Sequence, residues 1–92
     1  MVNNQNTNPT RNPDTLWKRF GSEIVTLNRE TRQYHVLNAA AAIIFQSATG
    51  DNTMEDIAEI ISEVFSIDIE QALSDARETV AGMKKLGLIF AS

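Results

Sequence analysis

The sequence predicts an α+β domain: a small antiparallel β-meander of two or three strands, followed by three short α-helices. Three observations carry this. Three runs of about five residues, "LWKRF", "EIVTL" and "QYHVL", are rich in β-branched and aromatic side chains and are parted by short polar breaks. The later segments instead repeat apolar residues at helical spacing. Between those segments stand residues that start and stop helices, Asn38, Thr53 and Asp68 before them, Gly50 and Gly87 after.

Taken in order, Met1 to about Thr15 is Asn-rich, with Pro9 and Pro13 and little to bury. Such a stretch does not offset its own ordering entropy and is expected to be a disordered tail, so the folded domain is expected over residues 16–92. The strand runs are Leu16–Phe20, Glu23–Leu27 and Gln33–Leu37. "GS" parts the first two, and "NRETR" parts the second and third with a length that suits a hairpin. In the last run Tyr34 and Val36 share one face, Gln33 and His35 the other.

Asn38 is a suitable N-cap for the helix that "AAAAIIF" begins, and its small residues let that helix lie close to a sheet. Gly50 is the expected left-handed C-cap residue. Thr53 with Asp56 resembles a capping box opening a second helix over Met54–Phe65. Ile57, Ile60, Ile61 and Val64 form its apolar stripe, and Glu55, Glu59 and Glu63 its wet side. Asp68 is the expected cap of a third helix, with Gln71 in the box position and a stripe of Ile69, Ala72, Leu73, Ala76, Val80 and Met83. Gly87 ends it, and "LIFA" is left as an edge strand or a packed apolar tail. Three helices joined by short turns beside a hairpin have the outline of a winged helix-turn-helix.

The composition narrows the function. The 92 residues hold no cysteine, which leaves no disulfide, thiol nucleophile or thiolate metal site. The N-terminal stretch has neither a basic start nor an apolar run, so no secretory signal is expected. The longest apolar stretch, Ala39–Phe45, is far short of the ~20 residues that span a bilayer. A cytoplasmic protein is expected, with no membrane partner. The net charge of −4 is uneven: Asp51 to Glu78 holds nine acidic residues against one basic, Arg77. A surface like that repels a phosphate backbone, so nucleic acid is not an expected partner.

Catalytic and metal chemistry find no foothold. His35 is the only histidine and has no nucleophile motif beside it; it reads as an exposed strand residue. Glu55, Glu59 and Glu63 face away from the isoleucine stripe, whereas acid–base catalysis needs carboxylates in a desolvated cleft. "DNTMED" lacks the alternating oxygen ligands, the glycine and the distant Glu of a calcium loop. No glycine-rich phosphate loop is present. Neither Ser62 nor Ser66 has the setting of a phosphopantetheine-bearing serine in an acyl carrier. The expectation is a protein that is not an enzyme and needs no cofactor.

What remains is a binding surface. If Gln33–Leu37 lies at a sheet edge, its free N–H and C=O groups offer a template for another chain. Beside the buried stripe of the third helix, Ala72, Asp75, Ala76, Thr79 and Met83 lie roughly along one flank. Small residues there leave room, and Met is an adaptable lining. A helix of that kind beside an open strand leaves a groove; equally, the flank packs on the sheet. Pairing of the exposed strands into a homodimer stays open.

In this order and spacing the residues resemble the PqqD-like family, the recognition elements for precursor peptides of ribosomally synthesised, modified peptides (RiPPs). The resemblance rests on "VTLNRETRQYHVLNAAAAIIF", "GDNTMEDIAEIISEVF" and "ALSDARETVAGMKKLGLIF" and covers about Ile24 to Phe90. The family pattern is a strand ending in Y-x-x-L-N, here Tyr34 to Asn38, then a helix with T-x-x-x-I, here Thr53 to Ile57. A last helix carries an Asp, here Asp75, and ends in L-G-L-I, here Leu86 to Ile89. Two departures stand out: Arg32 occupies a hairpin position where members often carry Gly, and the Pro-Glu-Arg stretch of the quinone-type members is missing.

The resemblance implies a winged helix-turn-helix repurposed for peptides. A leader segment of a precursor peptide adds as an extra strand, and its side chains enter the groove between that strand and the last helix. The domain acts as a peptide chaperone that presents the precursor to a modifying enzyme, commonly a radical SAM enzyme, a cyclase or a protease. Carried onto this chain, the strand is Gln33, Tyr34, His35, Val36 and Leu37. The groove is lined by Tyr34 or Val36 with Asp75, Ala76, Thr79 and Met83. The acidic helical face is expected to attract a basic leader. Two alternatives share the architecture: a winged-helix DNA-binding regulator, which calls for a basic recognition helix, and a docking module with no peptide ligand.

Overall fold

The computed structural model describes residues 8–90. Three strands, β2 (Thr15–Phe20), β3 (Glu23–Asn28) and β4 (Gln33–Leu37), form an antiparallel meander in the order β2-β3-β4. Three helices follow, α1 (Ala39–Ser47), α2 (Met54–Phe65) and α3 (Ile69–Lys85). A second, two-stranded antiparallel sheet joins β1 (Thr10–Arg11) to β5 (Ile89–Phe90). The predicted α+β class and the three strand runs are those of the structure.

Register explains how the meander is used. Ile24 pairs with Leu37, Thr26 with His35 and Asn28 with Gln33, so these six share one face. Ile24 and Thr26 are fully buried and Leu37 nearly so, which marks this as the face under the helices. Trp17 extends it, its ring meeting Phe45 of α1 edge-on at 5.6 Å. The rest of the core comes from Ala42, Ile44 and Phe45 of α1, Ile57, Ala58 and Ile61 of α2, and Ala72, Ala76, Val80 and Met83 of α3. The small residues among them let the helices approach closely, as the alanine run predicts.

Two caps form as expected. The Asn38 side chain accepts from the Ala41 N–H at the start of α1. Thr53 and Asp56 form a reciprocal capping box, each side chain accepting from the other's backbone N–H. Other expectations need correction. Gly50 has φ +92, but α1 ends at Ser47 with Ala48 as its C-cap, so Gly50 serves the following turn instead. Asp68 stands at the N-cap of α3 without a side-chain cap bond, and Gln71 donates to the Asp75 carboxylate instead of reaching back to the cap. Val64 and Ile69, expected in buried stripes, are exposed. Both flank the sharp reversal at Ser66 (φ 55) between α2 and α3, and among the described residues neither is covered. Ala58 takes a place in the core that the isoleucine spacing did not assign to it.

The expected N-terminal tail divides. Residues 1–7 lie outside the described residues, as do 91–92, but residues 8–15 are built into the fold. Their anchorage is polar. The Arg11 guanidinium donates to the carbonyls of Phe45 and Gln46, at 3.3 and 2.6 Å, closing the carbonyl end of α1 where a cation is favoured. It also lies over the rings of Trp17 and Phe45. The Asn12 side chain donates to Gly87 O at 2.9 Å, and its N–H to Leu88 O. Pro9 is buried and its carbonyl accepts from Gly50 N–H. Composition suggested a tail because the segment is poor in apolar surface; hydrogen bonds to loop carbonyls supply the anchorage instead.

One joint ties the meander to α3. Asn28, almost fully buried, accepts from the N–H groups of Glu30 and Thr31 and donates to Leu86 O at 3.2 Å. Gly87 follows with φ +76, and a Cβ there would stand 2.9 Å from the Asn28 amide nitrogen. Backbone sign and close approach both call for glycine at this position.

Candidate functional site

The meander has two edges, and their chemistry differs. Within the described residues β2 and β4 each pair only with β3. On an antiparallel edge every second residue turns its N–H and C=O outward, unpaired. The β2 edge carries Lys18 and Arg19, and charged side chains of this kind discourage strand addition. The β4 edge, Gln33–Leu37, carries no Lys, Arg, Asp or Glu. It is the edge suited to receive another strand.

The side chains of β4 divide by face. Leu37 is buried and locks the strand end against the core. His35 also points to the helical side and is half-buried, contrary to the exposed position expected of it. Its Nε2 is buried without a hydrogen-bond partner, while its carbonyl accepts from the Thr26 hydroxyl at 3.4 Å. Pairing with Thr26 on the covered face is what draws it inward. Tyr34 and Val36 turn the other way and are 70% and 64% exposed. They therefore belong to the outer face of the sheet rather than to the side on which α3 lies.

On α3, Asp75 and Thr79 are half-buried and border solvent, with the Asp75 carboxylate held by Gln71 Nε2 at 2.8 Å. Ala76 and Met83 are buried in the core. That flank thus supplies two polar side chains at the surface and two packing residues behind them. β4 packs mainly on β3 and α1, and α3 on α2, α1 and β5. The sheet and α3 are tied at the Asn28–Leu86 joint. Among the described residues no group of three or more His, Asp or Glu side chains is placed to hold a metal ion, and no helix is long and apolar enough to cross a membrane.

A feature missed in the sequence is the outer face of the meander. Leu16 and Phe20 of β2, Val25 and Leu27 of β3, and Tyr34 and Val36 of β4 all project from it. A hollow of about 310 Å³ lies among Leu16, Phe20, Val25, Leu27 and Tyr34. A second, about 330 Å³, lies at the hairpin end between Leu16, Leu27, Arg29 and Arg32. The signal was legible in "EIVTL": bulky apolar residues stand at both parities of that strand, so one set has to face away from the core.

Comparison with known proteins bears on this geometry. The structure of TbiB1 in complex with the TbiA(beta) leader peptide matches with a TM-score of 0.81 and 20% sequence identity, over 90% of this chain and 99% of that one. The structure of lasso peptide synthetase B1 complexed with the leader peptide matches with a TM-score of 0.79 and 21% identity, over 89% and 96%. At that identity the likeness is one of fold. No curated protein sequence matches the chain. The family model described as coenzyme PQQ synthesis protein D (PqqD) matches residues 23–89, and the chain belongs to that family.

Proposed function

We propose that this domain is a peptide chaperone that binds the leader of a ribosomally synthesised precursor peptide and presents it to a modifying enzyme. The observation that carries the reading is the uncharged, one-sided β4 edge. A peptide extending the sheet there bonds through its main chain to Gln33–Leu37, which gives affinity with little sequence demand. Specificity then falls to side chains on the helical side, with His35 of β4 and the half-buried Asp75 and Thr79 of α3 as the candidates. Ala76 and Met83 hold α3 in place behind them. Membership of the family supports this reading, as do two structural neighbours that hold leader peptides. The work belongs in the cytoplasm, where precursors are made. The enzyme served is of the radical SAM, cyclase or protease type.

The test is an amide NMR titration with leader peptides encoded beside the chain's gene. The expected result is shifts and exchange protection at Gln33–Leu37, with smaller shifts at Asp75 and Thr79. A leader that is modified in the cell but leaves those signals in place would overturn the reading. Repeating the titration at higher salt tests the acidic helices: an unchanged association rate removes them from recognition.

A further inference from the structure

We infer that the outer face of the meander is the docking surface for the modifying enzyme, and that it receives an apolar ridge of that enzyme bordered by carboxylates. This rests on the peptide-chaperone reading for the identity of the partner, but on separate residues for the surface. Leu16 and Phe20 on β2 and Tyr34 and Val36 on β4 are 49%, 57%, 70% and 64% exposed, and the half-buried Val25 and Leu27 of the intervening β3 join them into one face. A contiguous apolar surface of this kind on a small domain marks an interaction site.

Two observations choose the occupant. The first is charge. Lys18 lines the larger hollow and lies over the Phe20 ring, and Arg29 and Arg32 line the smaller one; the carboxylate on this face of the strands, Glu23, is paired with Phe20 at the opposite end of β3 and lines neither hollow. A second copy of the chain would bring this cationic rim against itself, whereas a partner with carboxylates beside its apolar residues would be complementary. The second is continuity. Tyr34 and Val36 sit on the strand that a peptide would extend, with their side chains on the face opposite the helices. An enzyme seated on this face lies directly beside a peptide added at β4, without competing for its main-chain bonds.

The experiment uses the whole chain and the purified modifying enzyme encoded beside its gene. Leu27→Glu, at the wall shared by both hollows, is expected to weaken enzyme binding roughly 30-fold or more, as loss of a central interface residue does. Leader affinity is expected to stay within about twofold. Leu16→Glu, at a more exposed position, repeats the test should Leu27→Glu fail to fold, and Arg29→Glu is expected to slow association several-fold at low salt. Folded variants that bind the enzyme as the wild type does would overturn the inference. So would a wild-type dimer in sedimentation that Leu27→Glu dissolves while enzyme binding persists, since the face would then belong to a second copy. Equal loss of leader and enzyme would also overturn it, making the face part of the peptide site. If the wild type binds enzyme through this face and binds no leader, the docking surface stands and the peptide reading falls.

Discussion

The two faces of the three-stranded meander carry similar residues and have opposite fates. On the inner face Ile24, Thr26 and Leu37 are sealed under α1, and Trp17 meets Phe45 there. On the outer face Leu16, Phe20, Tyr34 and Val36 stand in solvent, although all four are bulky and largely apolar. The hydrophobic effect acts on area removed from water and does not choose a side. What separates the faces is that α1 follows the sheet in sequence and packs on one side of it, with α2 and α3 packed on α1. The inner face therefore sets stability, and the outer face and the β4 edge are left exposed.

The sharpest way to break that contrast is to empty the inner face. Phe45→Ala removes the ring that bridges α1, Trp17 and Arg11, and should cost about 4 kcal/mol in urea unfolding. A cost below about 1 kcal/mol would mean that the inner face is not where stability lies. Next in size is the joint between sheet and helix. Gly87→Ala should cost about 2 kcal/mol, from the positive φ and from the approach of its Cβ to Asn28. If the close approach matters, the loss should not add to that of Asn28→Ala in a double-mutant cycle. Strict additivity would leave backbone strain as the sole cause.

A smaller effect of opposite sign is expected at the hairpin. Arg32 has φ +64, a conformation that suits glycine. Arg32→Gly should raise stability by about 0.5–1 kcal/mol, the relief of strain exceeding the added freedom of the unfolded chain. The same change removes a cation from the outer rim and should weaken enzyme association, so stability and binding move apart. Smallest of all, Tyr34→Ala should leave the unfolding free energy within about 0.5 kcal/mol of wild type, as expected at an exposed site. A larger loss, read from the same urea curves, would show that the outer face also supports the fold.

Much of the architecture could be read from the chain. The strand runs, the capping box at Thr53, the α2 boundaries and Gly87 at the end of α3 are local features, fixed by residues within a few positions of one another. The strand Gln33–Leu37 was legible for the same reason, whereas its place at the edge follows from the order of the whole sheet. Most of the misreadings are non-local; the exceptions are Gly50, which lies past the end of α1, and Asp68 and Gln71, whose expected cap bonds do not form. Residues 8–15 looked like a tail because their anchors, the carbonyls of Phe45, Gln46, Gly87 and Leu88, are distant in sequence. Val64 fitted its helical stripe, but among the described residues it is not covered. Ala76 and Met83 were placed on a groove wall, yet they lie inside the core while Asp75 and Thr79 meet solvent.

The sequence by itself determined the three strands of the meander, the three helices, their order and the absence of charge on β4, because propensity and alternation act over a turn or a strand. The short β1–β5 sheet, by contrast, joins the two ends of the chain. Only the tertiary structure decided which face of the meander the helices cover, where the N-terminal arm is held and which residues of α3 reach the surface. Those outcomes depend on how whole elements pack and on hydrogen bonds between distant parts of the chain, and no local pattern encodes them.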